Sequence, residues 1–250
     1  MQPVNKQAVA QAFSRAATHY NQHADLQRRS GAALLALAPH RPGAQLLDAG
    51  CGTGWFSQFW RQRGHQVTAL DLSAAMLQQA RQQQAADRYL LGDIDALPIA
   101  SDSMDLVWSN LAVQWSSNLR AALRQFVRVT RPGGAVLFST LTAGSLQELH
   151  DAWRYLDTHP HANRFLTAAQ IRAACGDLNV RLQQQTITLY FPDALSAMRS
   201  LKGIGATHLH QGRDNTMLTR QRLAQLEQHW ARDAQGCRLS YQLMYGVIYK

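Results

Sequence analysis

The chain has 250 residues, 46% of them hydrophobic, and a formal net charge of +9; this is material for one large domain, or one domain with an added lid. It has no 18-residue apolar run and begins Met1-Gln2-Pro3-Val4-Asn5 without a signal-peptide core, so neither a transmembrane helix nor secretion is expected. Cys51, Cys175 and Cys237 are odd in number and widely spaced, with no metal-site or disulfide pattern, which suits a reducing cytoplasm.

Apolar residues recur at helical spacing over residues 5–17 (Val9, Ala12, Phe13) and 23–37 (Leu26, Leu34, Leu35, Leu37), predicting two helices. Residues 1–40 read as an N-terminal helical cap and 41–250 as the main domain. The most informative run follows: Leu46-Leu47-Asp48-Ala49-Gly50-Cys51-Gly52-Thr53-Gly54. An apolar strand ends in a carboxylate and then in glycines at alternate positions. Such glycines let the backbone turn sharply and let a ligand lie against bare peptide N–H groups; a tight βα turn without a ligand is the plainer alternative. Val67-Thr68-Ala69-Leu70-Asp71 ends a second strand in another carboxylate, placed where βαβ nucleotide sites hold ribose hydroxyls. Trp55 stands where the dinucleotide fingerprint needs its third glycine, and no Gly-Lys-Ser/Thr follows, so neither that fingerprint nor a P-loop fits.

Ser73-Ala74-Ala75-Met76 reads as a capped helix start, and Gln82-Gln83-Gln84 as a solvated helix end. Met104–Asn110 is predicted as a buried strand, Arg131-Pro132-Gly133-Gly134 as a turn, and Ala135–Leu141 as a further apolar strand. Strands alternating with helices give a parallel sheet covered on both faces. Gln185–Phe191 and Leu239–Tyr249 alternate as strands do and should form an antiparallel pair. The interval between them, about 192–236, holds two helical stretches, about 193–202 and 219–233, and reads as a lid carrying substrate specificity. In it Arg199 and Lys202 share one helix face ahead of Gly203 and Gly205; a solvated basic helix end is the alternative.

Asp48-x-Gly50-x-Gly52-x-Gly54 resembles motif I of the class I S-adenosylmethionine-dependent methyltransferases, and Gly92-Asp93-Ile94 resembles a later motif of that family. A narrower resemblance is carried by Val4–Phe13, Ala17-Thr18-His19-Tyr20, Ser109–Trp115, Pro160–Phe165 and, most specifically, Asp193–His208. These look like the malonyl-[acyl-carrier protein] O-methyltransferases of biotin synthesis. The resemblance implies an α/β, Rossmann-like fold. Its seven-stranded, mostly parallel sheet has helices on both faces, N-terminal helices, and a helical lid inserted before the last strand. It implies S-adenosylmethionine as methyl donor, S-adenosylhomocysteine as product, and no metal. Asp48, Gly50, Gly52 and Gly54 would meet the methionine moiety, with Asp71 at the ribose and Leu72 among the cofactor contacts. Asp93 would receive the adenine amino group, Ile94 would pack on the ring, and Met76 would cover it or else sit in the core. Asn110 would lie near the transferred methyl, and so would Tyr20, whose alternative is a core tyrosine.

The implied acceptor is the free carboxylate of a malonyl thioester on acyl carrier protein, an acidic partner that would give the net charge a reason; a basic surface without a partner is the alternative. A carboxylate is already a nucleophile at neutral pH, so no general base is expected. Arg199 or Lys202 would meet the substrate carboxylate or the phosphopantetheine phosphate, with Tyr20 orienting; Arg124 is a further candidate, or an ordinary surface arginine. Asn110-Leu111-Ala112-Val113 stands where nucleic-acid amino-methyltransferases carry Asn/Asp-Pro-Pro-Tyr, so no nucleic acid is expected, and no membrane. The alternatives are a methyltransferase of the same fold acting on another small-molecule carboxylate, a quinone precursor or RNA, and a non-catalytic cofactor-binding regulator.

Overall fold

A computed structural model describes residues 4–40, 43–204 and 218–250. Gly205, Ala206, Thr207 and His208 of the resemblance, with the middle of the 192–236 interval, lie outside the described residues.

Three helices come first: α1 (Lys6–Ala16), α2 (Tyr20–His23) and α3 (Asp25–Leu35). The Asn5 side chain caps α1 by accepting the Ala8 N–H at 3.0 Å. Then β1 (Gln45–Ala49), α4 (Trp55–Arg61), β2 (Gln66–Asp71), α5 (Ala74–Gln82), β3 (Arg88–Leu91), β4 (Met104–Asn110), α6 (Leu119–Val129) and β5 (Thr130–Leu141) alternate as expected. Ser73 caps α5 and Asn118 caps α6. The remainder is α7 (Gln147–Arg154), α8 (Ala168–Cys175), β6 (Val180–Phe191), α9 (Ala194–Gly203), α10 (Arg220–His229), β7 (Arg232–Asp233) and β8 (Gly236–Tyr249).

The sheet runs β3-β2-β1-β4-β5-β8-β6. Its pairings are parallel from β3 to β5 and antiparallel from β5 through β8 to β6. The seven strands of this path are those of the expected sheet; the two-residue β7, paired to β8, adds an eighth. Several details differ from the sequence expectations: β6 begins at Val180 rather than Gln185, and the helix expected over about 219–233 ends at His229, ahead of β7. Arg88–Leu91 forms the edge strand β3, whose half-exposed side chains lack a buried pattern. Arg131–Gly134 opens β5 rather than preceding it.

Adjacent strand residues feed opposite faces, as the pleat requires. Leu46, Leu106, Trp108 and Leu137 enter one core, while Leu47, Val107, Val136 and Phe138 enter the other. Helices α3, α7 and α9 cover the first face through Leu34, Leu149 and Leu201, and α6 and α8 cover the second through Phe126 and Ile171. Helix α3 of the N-terminal segment and the inserted helices α9 and α10 therefore share one face. Strand order reverses between β1's neighbours β2 and β4, which opens a crevice at the carboxyl ends of β1 and β4.

Candidate functional site

The loop after β1 lies at that crevice. Gly50, Gly52 and Gly54 all have positive φ (83°, 56° and 86°), the left-handed region that favours glycine. Gly50 and Cys51 donate their N–H groups to the Leu70 carbonyl at 2.8 and 3.0 Å, tying the loop to β2. A Cβ on Gly50 would stand 2.3 Å from Cβ of Ala112. Gly54 faces away from the crevice: it precedes α4, and its added Cβ would stand 2.5 Å from Cβ of Ala85.

Two carboxyls sit beneath the loop. Asp71 accepts the Gly52 N–H on Oδ2 and the Ser73 N–H on Oδ1, each at 2.8 Å. Burial raises its pKa, and these N–H groups, with that of Leu72, oppose the rise. Asp48 accepts the Ser57 hydroxyl at 2.6 Å. Burial pushes its pKa up to about 7, the nearby Asp71 adds to this, and Ser57 works against it. Two buried carboxyls that disfavour each other's charge are relieved by a cation placed between them and by hydroxyl donors.

Three recesses open here. A recess of about 50 Å³ is lined by Asp48, Gly50, Gly52, Thr53, Arg28 and Asn110. A groove of about 80 Å³ is lined by Asp71, Leu72, Asp93, Ile94, Lys6 and Trp115. A cavity of about 300 Å³ has mainly apolar walls, including Leu26, Leu146, Trp153, Phe165 and Met198. Tyr20 lines all three, and its phenol is pushed up by burial and by the charges of Asp71 and Cys51.

The helical cap is pinned over these openings. Lys6 reaches from α1 to Asp93 Oδ1 at 2.8 Å and Asp95 Oδ2 at 2.7 Å. Burial raises the Asp95 carboxyl, but hydrogen bonds from Lys6, Ser116 and the Ser117 N–H outweigh it and hold the pKa below the ordinary value. The Ser14 and Ser73 hydroxyls meet at 2.9 Å, and Phe13 meets Trp115 edge-on at 5.4 Å. Thr53 donates to the Asn21 side chain at 2.6 Å, and Arg28 donates to the Asn21 carbonyl at 2.8 Å. At the end of β4, Asn110 Oδ1 accepts the hydroxyls of Ser30 (2.9 Å) and Ser139 (2.8 Å), while its Nδ2 donates to the Gln27 carbonyl at 2.9 Å. Its orientation is therefore fixed.

Of the residues singled out by sequence, Tyr20, Asp48, Gly50, Gly52, Asp71, Leu72, Asp93, Ile94 and Asn110 line the recesses. Met76 is not on those walls; it is 1% exposed, in the core. Arg124 is at the surface, 3.3 Å from Asp177. Arg199 and Lys202 are exposed. The inward side of α9 is taken by Ala194, Ala197 and Leu201, because an amphipathic helix gives its apolar stripe to the core. The structure thus does not bring these three cations to the cavity wall. The cations it does bring to the site are Lys6, at the groove, and Arg28, at the recess beside the glycine loop; neither stands in a sequence pattern distinguishing it from a surface cation. Among the described residues no group of three or more His, Cys, Asp or Glu is placed to hold a metal ion.

Comparison with known proteins gives the family and the fold. Residues 47–138, β1 into β5, match the family model described as "Methyltransferase domain". The chain is 64% identical to the malonyl-[acyl-carrier protein] O-methyltransferase of Erwinia pyrifoliae over 99% of this chain and 94% of that one. It is 55% identical to the protein of the same name from Salmonella typhimurium, over 99% of both chains. Among solved structures, the YcgJ protein of Bacillus subtilis superposes with a TM-score of 0.62 at 19% identity, covering 89% of this chain and 98% of that one. A geranyl diphosphate methyltransferase solved in complex with SAM superposes with a TM-score of 0.54 at 18% identity, covering 90% and 85%. These two likenesses concern the fold.

Proposed function

The chain belongs to the malonyl-[acyl-carrier protein] O-methyltransferase family, and from that premise we propose that it methylates the free carboxylate of malonyl-[acyl-carrier protein], with S-adenosylmethionine as donor. The observation that carries this is identity of 64% through 99% of the chain, cap and insertion included. The product, a malonyl methyl ester, is the primer for pimeloyl synthesis toward biotin.

The site fits the donor. The sulfonium and ammonium charges answer the paired burial of Asp48 and Asp71, and a ribose diol supplies hydroxyl donors to Asp71. When bound, S-adenosylmethionine supplies an electrophilic methyl group. In our assignment Gly50, Gly52 and Asp48 hold the methionine end, and Arg28 meets its carboxylate. Asp71 and Leu72 hold the ribose, and Asp93 and Ile94 the adenine. Tyr20 and Asn110 wall the point where the recesses join. The acceptor is ionised at neutral pH, so the residues act by alignment and by excluding water rather than by taking a proton. Tyr20, whose phenol stays protonated, donates a hydrogen bond to the acceptor carboxylate and orients it.

Arg199 and Lys202, on the outer side of α9, suit an acidic carrier protein docked on the insertion rather than the reacting carboxylate. We place the enzyme in the cytoplasm, where its carrier partner works; no helix among the described residues is long and apolar enough to cross a membrane.

The test is a comparison of acceptors with methyl-labelled S-adenosylmethionine: malonyl, acetyl and malonyl-methyl-ester forms of the carrier protein. Label should enter only the malonyl form and be released by an esterase. Equal labelling of the acetyl form would exclude carboxyl transfer.

A further inference from the structure

The 300 Å³ cavity is larger than a malonyl group needs, and its chemistry is wrong for one. Its described walls include no Lys or Arg, and their one histidine, His161, is engaged by Asp157 at 2.7 Å, so a carboxylate deep within it would find no free counter-charge among the described residues. What the walls do offer is an acceptor. Gln114 lines the cavity, and its Nε2 donates to the Leu111 carbonyl at 2.8 Å. That bond fixes which way round the amide stands, because the flipped amide would set oxygen against oxygen. Gln114 Oε1 is left buried with no hydrogen-bond partner among the described residues. Gln27, which lines both this cavity and the recess beside the glycine loop, also has a buried Oε1 without a described partner. Buried acceptors are rarely left unpaired. A matching ligand is neutral, largely apolar, and carries N–H donors.

We propose, resting on the carboxyl-transfer reading above, that this cavity is the seat of the pantetheine arm of the acceptor. Gln114 Oε1 accepts one amide N–H of the arm, Gln27 serves the junction with the loop recess, and Leu146, Phe165, Met198 and Leu201 cover the methylenes. Gln114 is then a specificity residue: it selects amide-bearing thioesters over plain alkyl thioesters of the same acid. Tyr20, shared by the cavity and the groove, marks where the malonyl carboxylate emerges from the arm's channel to meet the methyl donor.

The test uses the full chain saturated with S-adenosylhomocysteine. Tryptophan fluorescence reports on the cavity, since Trp115 and Trp153 lie on its wall. The protein is titrated with S-methyl-pantetheine and with a thioether of equal length lacking both amides. The wild type should prefer the pantetheine probe. Gln114→Met, which keeps the bulk and removes the acceptor, should weaken that probe alone by about 3- to 10-fold, with the affinity for S-adenosylhomocysteine unchanged. Leu201→Trp, which fills the cavity from α9, should exclude both probes and checks the location independently. Equal affinity for the two probes in the wild type, or an unchanged pantetheine affinity in Gln114→Met, would overturn the assignment and leave Gln114 served by water only. Turnover separates this from the parent reading. Pantetheine binding without methylation of any malonyl thioester sinks carboxyl transfer and spares the cavity; methylation without preference for the pantetheine thioester sinks the cavity alone.

Discussion

Asp71→Asn separates cofactor binding from loop architecture. Each Asp71 oxygen already accepts one backbone N–H, from Gly52 and from Ser73, at 2.8 Å, and the residue lines the groove. The remaining lone pairs are those a ribose diol would use. Asparagine keeps the shape but has a single acceptor oxygen, so one backbone N–H and one ribose hydroxyl lose their partner. A hydrogen bond to a charged group contributes about 1.5–3 kcal/mol, which is about 10- to 150-fold in Kd. Stability should not fall in step, because burial raises the Asp71 pKa and a neutral amide relieves that desolvation. Calorimetric titration with S-adenosylhomocysteine gives the affinity, and thermal melting without ligand gives the stability. An unchanged Kd would refute the ribose assignment. A parallel collapse of Kd and Tm would show that Asp71 only braces the loop.

Gly50→Ala should cost about 1–3 kcal/mol, since its Cβ would stand 2.3 Å from Cβ of Ala112 at a φ of +83°; urea titration that finds no loss would contradict the packing described. Asp48 has a folded pKa of about 7 against an ordinary 3.8, so the folded state binds its proton more tightly. Its contribution to stability is present below about pH 4 and lost as pH rises through about 7, by up to about 4 kcal/mol. Asp48→Asn should flatten that slope in ligand-free protein; denaturant titrations at about pH 5 and about pH 8 that give the wild-type slope in the variant would argue against a raised Asp48. Replacing both Arg199 and Lys202 by Ala should raise KM for the malonyl carrier protein about 2- to 10-fold, in line with weak exposed charge pairs, and leave malonyl-pantetheine untouched. An equal effect on both acceptors would return these residues to the substrate pocket.

The sequence carried the site where chemistry forces residue type. Alternate glycines after an apolar strand, and carboxylates ending β1 and β2, follow from backbone approach and desolvation, and both can be seen in a string of letters. Periodicity also gave the antiparallel pair, because Leu239, Tyr241 and Leu243 alternate on a buried face. What stayed hidden depends on packing in three dimensions. Periodicity placed Arg199 and Lys202 on one face of α9, but only the packed Ala197 and Leu201 show that this face points outward. Met76 had two equal positions, and the core took it. Arg88–Leu91 is too short and too exposed to announce a strand. The Gln114 oxygen, without a partner among the described residues, belongs to no pattern, since polarity alone does not say whether a partner exists.

Intact-protein mass spectrometry of malonyl-[acyl-carrier protein], incubated with this enzyme and S-adenosylmethionine, tests carboxyl transfer most directly. A gain of one CH2 on the acyl group, lost again on treatment with an esterase, is the expected result. An unchanged acyl mass, with S-adenosylmethionine demonstrably bound at the glycine loop, would leave the donor site standing and contradict the malonyl carboxylate as acceptor.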